Sequence, residues 1–324
     1  MLGACSLAVS ACGGGGSGEH RAPTGAAGKL AQRASVPARP GPLRARAAGV
    51  LPAPVQSPAA AMLPGGPLLV IGGLDSTDVS VATVLAVRGS NSSALGELPQ
   101  PVHDAAGAAL GRRAYVFGGG TGEVGTDTIV AVDATGQVTP AGRLPAPASD
   151  ASAAVVGQTA YVVGGYTGTT PLRSIVAFRP GAAPRVAGRL PLPLRYPAVA
   201  AVNGRVLIAG GTSGVTPQRA ILSFDPASGR VTRLAELSHS LTHAAGASLN
   251  GTFYVIGGRS TSPTSQTGTI LGVDPRTGRS YGAGRLPNPL SDATAVTDGP
   301  RILVVGGRDA AGVRGEVLEL EPAA

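Results

Sequence analysis

Short apolar runs alternate with polar, glycine-rich breaks along this chain, and six of the runs end in the same way. Leu69-Val70-Ile71 precedes Gly72-Gly73, Tyr115-Val116-Phe117 precedes Gly118-Gly119, and Tyr161-Val162-Val163 precedes Gly164-Gly165. Leu207-Ile208-Ala209, Tyr254-Val255-Ile256 and Leu303-Val304-Val305 lead into Gly210-Gly211, Gly257-Gly258 and Gly306-Gly307. The first glycines of successive pairs are 46, 46, 46, 47 and 49 residues apart. A fixed period of this length marks supersecondary units that bury their faces only against one another.

One period reads as four short strands. Residues 150–156 are small and apolar, and residues 160–163 run into the diglycine. After a polar loop, residues 174–178 and 184–190 complete the unit, each bounded by Gly or Pro. Such punctuation every 8–12 residues predicts antiparallel strands, and no segment sustains a helical period. Asp133-Ala-Thr-Gly136, Asp225-Pro-Ala-Ser-Gly229 and Asp274-Pro-Arg-Thr-Gly278 supply the Asx start and terminal glycine of the hairpin before the fourth strand. The first strand is built of small residues, as in Ala105-Ala-Gly-Ala-Ala109 and Ala244-Ala-Gly-Ala247. Strands crowd where they approach a common axis, so small innermost strands in six four-stranded units predict an all-β, six-bladed β-propeller.

The small first strand, the aromatic-led strand ending in Gly-Gly, the third strand ending in Asp-Pro and the closing Leu-Pro together resemble the Kelch repeat, over residues 43–324. The chain departs from that pattern in having no Trp, the residue that usually opens the fourth strand, so aliphatic packing of the blades is expected. The last repeat ends after Glu316-Val-Leu-Glu-Leu320, one strand short, while Leu43 to Leu51 near the start matches the fourth-strand pattern of Val138 to Leu144. Residues 43–51 are therefore expected to complete the sixth blade and close the ring.

Both cysteines fall in the first twelve residues. Val9-Ser10-Ala11-Cys12 resembles a bacterial lipobox and is followed by a Gly-Ser tract. The resemblance implies a signal segment at 1–12, acylation of Cys12, a disordered tether at 13–42, and an exported protein held to the membrane by lipid. Residues 1–50 carry six bases and one acid, so +5 of the formal +8 lies in that segment. A basic tether suits anionic headgroups, and no basic face with interleaved aromatics calls for nucleic acid.

Function is expected where the repeat is least uniform. The pair preceding each small strand is Gln56-Ser57, His103-Asp104, Ser149-Asp150, Arg195-Tyr196, Thr242-His243 and Ser291-Asp292. Blades three apart face one another, which sets Asp104 across from His243, Asp150 across from Asp292 and Ser57 across from Tyr196. His103, Asp104, Asp150, Arg195, Tyr196, His243 and Asp292 are the candidate ligand-binding residues. Their carboxylates and imidazole suit a divalent cation or sugar hydroxyls. The aspartates recur in three repeats, so they also suit a purely local role in bonding backbone groups.

The run Gly120-Thr-Gly122-Glu-Val-Gly125 matches a dinucleotide fingerprint but lacks the following helix, and His239 and His243 have zincin spacing without its glutamate. Kelch-type propellers mostly act as rigid discs, which implies a monomeric module binding a protein or glycan partner with no cofactor. The alternative implied by the resemblance is a carbohydrate-active enzyme of the sialic-acid mutarotase type. A copper-radical oxidase is excluded, because its crosslink needs a cysteine within the propeller.

Overall fold

The second strand of each repeat is rich in Val, Ile, Leu and aromatic side chains, which fit a pleated surface covered on both faces. In the computed structural model, which describes residues 41–122 and 124–323, these strands are buried almost throughout. Outer strands such as Asn91–Glu97 stay mostly exposed. The described residues contain strands and turns and no helix.

Four sheets each hold four strands in sequence order. The first is Ala59–Met62, Leu68–Ile71, Thr83–Arg88 and Asn91–Glu97. The second runs from Ala106–Leu110 to Val138–Arg143, the third from Ser152–Val156 to Arg185–Arg189, and the fourth from Ala198–Val202 to Arg230–Glu236. A fifth set of four, Ala245–Leu249 to Ser280–Arg285, is joined to the last set by a single parallel bridge, Leu43 to Gly284. In the last set Thr294–Asp298, Arg301–Val305 and Glu316–Pro322 are followed by Leu43–Val50, which pairs antiparallel with Glu316–Pro322.

A β-bulge recurs where the third strand meets the fourth. The extra residue is Leu95, Ala141, Ala187, Leu234 and Ala283 in the first five sets. Ala48 takes the same place opposite Leu318 and Val317. Leu43–Val50 thus carries the local signature of a fourth strand, although it lies at the far end of the sequence.

Six apolar clusters fill the spaces between neighbouring sheets, and the small innermost strands touch in succession. Thr294–Asp298 also touches Ala59–Met62, and Leu303, Val305 and Val317 pack with Val70 and Leu85. Most of the packing is aliphatic; the chief aromatic contacts are Tyr115 and Phe117 on Phe178, and Tyr161 on Phe224.

The loops after the diglycines are more ordered than their composition suggests. Three of them fold into two-stranded ribbons: Gly120–Thr121 with Val124–Gly125, Thr212–Ser213 with Thr216–Pro217, and Arg308–Asp309 with Gly312–Val313. The first contains the dinucleotide-like glycines, which here shape a hairpin. Cys5, Cys12 and residues 13–40 of the tether lie outside the described residues.

Candidate functional site

The diglycines build the site. Gly118 and Gly119 have φ of 62° and 107°, in the region that favours glycine, and a Cβ on Gly118 would meet the Ala148 carbonyl. With that space open, the Gly119 N–H donates to Ala148 O at 2.8 Å, two residues before Asp150. The same bond recurs in every repeat, and the last runs from Gly307 to Val55, two residues before Ser57. Each diglycine therefore pins the loop that leads into the next small strand.

The next residue in each loop is paired as well. Gln56, His103, Ser149, Arg195, Thr242 and Ser291 form bridges with Leu74, Gly120, Tyr166, Thr212, Arg259 and Arg308, the residues directly after the diglycines. One step further on stand Ser57, Asp104, Asp150, Tyr196, His243 and Asp292, all with φ between 51° and 58°. Five backbone bonds join them: Ser57 N–H to Asp292 O, Asp104 to Ser57, Asp150 to Asp104, Tyr196 to Asp150, and Asp292 to His243, at 2.7–3.1 Å. Left-handed backbone is costly for side chains other than Gly, Asn and Asp, so Tyr196 and His243 are held there by these bonds.

All six line one cavity of about 410 Å³, whose remaining wall is chiefly Ala, Gly, Ser, Thr and Val of the small strands. The candidate residues Asp104, Asp150, Tyr196, His243 and Asp292 are thereby brought together, whereas His103 and Arg195 are not among the lining residues. The His103 imidazole lies over Gly120, where a Cβ would collide with it, and Nδ1 is 2.8 Å from Ser80 Oγ. Burial lowers the His103 pKa.

The contacts that form differ from a simple facing of opposite blades. Arg195 Nε donates to buried Asp150, and its guanidinium lies 4.0 Å from the Tyr166 ring centre. The Tyr196 hydroxyl reaches Asp104 Oδ2 at 3.4 Å, while its ring stacks on His243 at 3.7 Å. Arg259 Nη2 lies 2.9 Å from His243 Nε2, and Ser291 Oγ donates to Asp292 Oδ2 at 2.5 Å.

Burial, reinforced by the charge of Asp150, pushes the Asp104 carboxyl up to about 8. Burial also raises Asp292 and Tyr196. Burial and the neighbouring Arg259 and Arg195 push His243 down to about 2. Near neutral pH the collar thus offers a protonated carboxyl at Asp104, a neutral imidazole at His243, and an Arg195–Asp150 ion pair. Among the described residues, no group of three or more His, Cys, Asp or Glu is arranged to hold a metal ion. His239 stands apart, bonded to Ser238.

Sequence reasoning missed the partners Tyr166, Arg259 and Ser80. The first two stand one residue after a diglycine, a position as variable across the repeats as the pair preceding each small strand. That periodic position carried the signal.

Residues 147–181 match the family model for the Kelch motif. The segment spans the first three strands of one four-stranded unit. No curated protein sequence is matched. Among solved structures, that of YjhT superposes with a TM-score of 0.70 at 16% identity, covering 84% of this chain and 96% of that one. At this identity the likeness shows the fold, and it agrees with the four-stranded sheets of a Kelch-type propeller.

Proposed function

We propose that this chain is an exported Kelch-type propeller that binds a glycan at its channel mouth. In this reading, residues 43–324 form a closed ring of six blades. The recurring bulge that includes Ala48, and the bond from Gly307 to Val55, support closure through the N-terminal strand. Residues 1–12 are a lipoprotein signal segment ending at Cys12, and 13–42 tether a monomeric disc to the membrane.

The observation that carries the binding reading is the collar: six equivalent positions present two acids raised toward their neutral form, a carboxylate paired with Arg195, a phenol, an imidazole and a hydroxyl to one cavity. Such a mixture of donors and acceptors matches the hydroxyls of a sugar, with Tyr196 as a flat apolar and polar surface beside them. A uniformly structural role does not account for Arg195, Tyr196 and His243, which break the repeat. Capture of the full chain on an array of immobilised glycans tests this. Retention on specific glycans that is lost in Tyr196→Ala supports it, and no retention beyond background contradicts it.

A second reading has one specific observation in its favour. A carboxyl pushed up to about 8 is poised to exchange protons near neutral pH, as a sugar-anomer isomerase of the sialic-acid mutarotase type requires. Exchange between N-acetylneuraminate anomers, followed by proton NMR, tests it. Acceleration abolished by Asp104→Asn supports turnover, and the uncatalysed rate in the presence of the protein rules it out.

A further inference from the structure

In the first five sets the third and fourth strands are joined by a short turn, such as Asp133 to Gln137 or Asp225 to Arg230. Such a turn fixes the register of the two strands. The last set has none, because Glu316–Pro322 and Leu43–Val50 come from opposite ends of the sequence. Its register must come from the strands themselves.

The charges gathered at this pairing break the repeat. One third-strand position is Ala86, Ala131, Ala177, Ser223 and Gly272 in the first five sets, and Glu319 in the last. The Glu319 side chain is only 6% exposed. Its Oε1 accepts from Arg46 Nη2 at 2.9 Å, and Oε2 accepts from Arg301 Nη1 at 3.1 Å. Arg301 also pairs with Asp298, which stands where the four preceding sets carry Leu110, Val156, Val202 and Leu249. Burial alone would raise the Glu319 carboxyl, but Glu321, Arg46 and Arg301 hold it down to about 2, so it is charged near neutral pH.

The same charges distinguish one register from its neighbours. Arg46 lies opposite Glu319 and Arg44 opposite Glu321, and Arg46 also reaches Glu321 at 3.3 Å. A slip by one residue turns both arginines to the other face. A slip by two keeps every side chain on its face but leaves only one arginine opposite an acid. Buried ion pairs add little net stability, and their best-attested use is to set register. Register matters here because the closing strand leads straight into the collar. Leu51 and Val55 donate to Gly315 O and Arg314 O, and Ser57 follows, donating to Asp292 O.

We propose that Arg46, Glu319 and Arg301 form an ionic register lock that docks the N-terminal strand into the last set and thereby holds Ser57 in the collar. This rests on the closed-ring reading above. The lock does at the seam what a hairpin turn does in the other five sets.

Hydrogen exchange of the full chain, read peptide by peptide, tests the lock. Residues 43–58 are expected to exchange at least tenfold faster in Arg46→Met and in Glu319→Ala, with the hairpin-joined strand Val138–Arg143 unchanged. Arg46→Lys, which keeps a cation, is expected to retain most of the protection. The double variant is expected to exchange no faster than Glu319→Ala, because both changes remove the same contact. Arg46 is 64% exposed, so Arg46→Met spares the buried packing and reads the lock even where Glu319→Ala fails to fold. Arg143→Met, which breaks an ion pair with Asp127 beside a hairpin-joined strand, is expected to leave Val138–Arg143 as slow as before.

Unchanged exchange of 43–58 in Arg46→Met, or acceleration spread evenly over all fourth strands, overturns the lock while closure stands. Equal acceleration of Val138–Arg143 in Arg143→Met overturns it too, since the effect would not be particular to the seam. Wild-type residues 43–50 exchanging as fast as an unstructured segment would overturn closure through this strand, and the lock with it.

Discussion

Tyr196 and His243 stack with ring centres 3.7 Å apart, although each precedes the first strand of a different sheet and each sits in left-handed backbone. The stack gathers the collar: from it, the Tyr196 hydroxyl reaches Asp104, and His243 meets Arg259. Tyr196→Phe keeps the stack and removes the bond to Asp104. That bond holds the Asp104 carboxyl down against the larger effect of burial. The variant is therefore expected to raise the Asp104 pKa further, measurable by carbon NMR of the labelled carboxyl, with stability changed by about 1 kcal/mol or less.

The collar makes stability depend on pH in a direction unusual for an acid. Folded Asp104 holds its proton up to about pH 8, whereas the unfolded residue releases it near pH 4. The folded state binds more protons in that window, so this group's contribution to stability falls as pH rises through it. Burial of Asp292 acts in the same sense. His243, pushed down to about 2, and His103, lowered in the same direction, act oppositely, and their effect levels off only about one unit above the unfolded pKa near 6.5. Stability is thus expected to drop by about 1 kcal/mol between pH 6.5 and 8, the loss from Asp104 being partly offset by the histidines. Thermal melts at both pH values should show most of that drop disappearing in Asp104→Asn.

Asp150 is buried, and Arg195 is its counterion. Removing the cation leaves a carboxylate in the wall with its charge uncompensated. Arg195→Met is expected to cost about 3 kcal/mol, the lower end of the range for a broken buried pair, because Arg195 itself keeps some solvent contact. Urea titration of the variant measures the loss.

The left-handed collar also discriminates among side chains by shape. Ser57 has φ of 51°, which a β-branched residue adopts only under strain. Ser57→Val is expected to destabilise by about 2 kcal/mol, while Ser57→Gly stays within about 1 kcal/mol of the wild type. Gly118→Ala is expected to cost more, roughly 3 kcal/mol, since its Cβ meets the Ala148 backbone as well as the unfavourable φ of 62°. Parallel denaturation of the three variants checks the order.

Repetition made the sheets legible: the diglycine after Tyr161-Val162-Val163 and the small strand before it recur often enough to fix the strand order. The collar position was legible through the same alignment, which placed Asp104, Tyr196 and His243 in one register. Their bonding was not, because side-chain reach is set by packing between repeats. Nothing in the local sequence directs Arg195 to Asp150 or Tyr196 to Asp104. The left-handed φ of Tyr196 was hidden for a related reason, since tertiary bonds impose it against the residue's own preference. Arg259 opens a loop rich in Ser and Thr, and its place beside a diglycine draws it in toward His243.

If the collar binds a sugar, thermal unfolding of the full chain against a saccharide panel reports it. Divalent metal ions and the Tyr196→Ala/His243→Ala double variant serve as comparisons. A sugar present at 100 times its dissociation constant should stabilise the folded chain by about 2.7 kcal/mol, a visible rise in Tm, and the double variant should lose that rise. Unchanged melting with every sugar, or an equal rise in the double variant, would contradict the account.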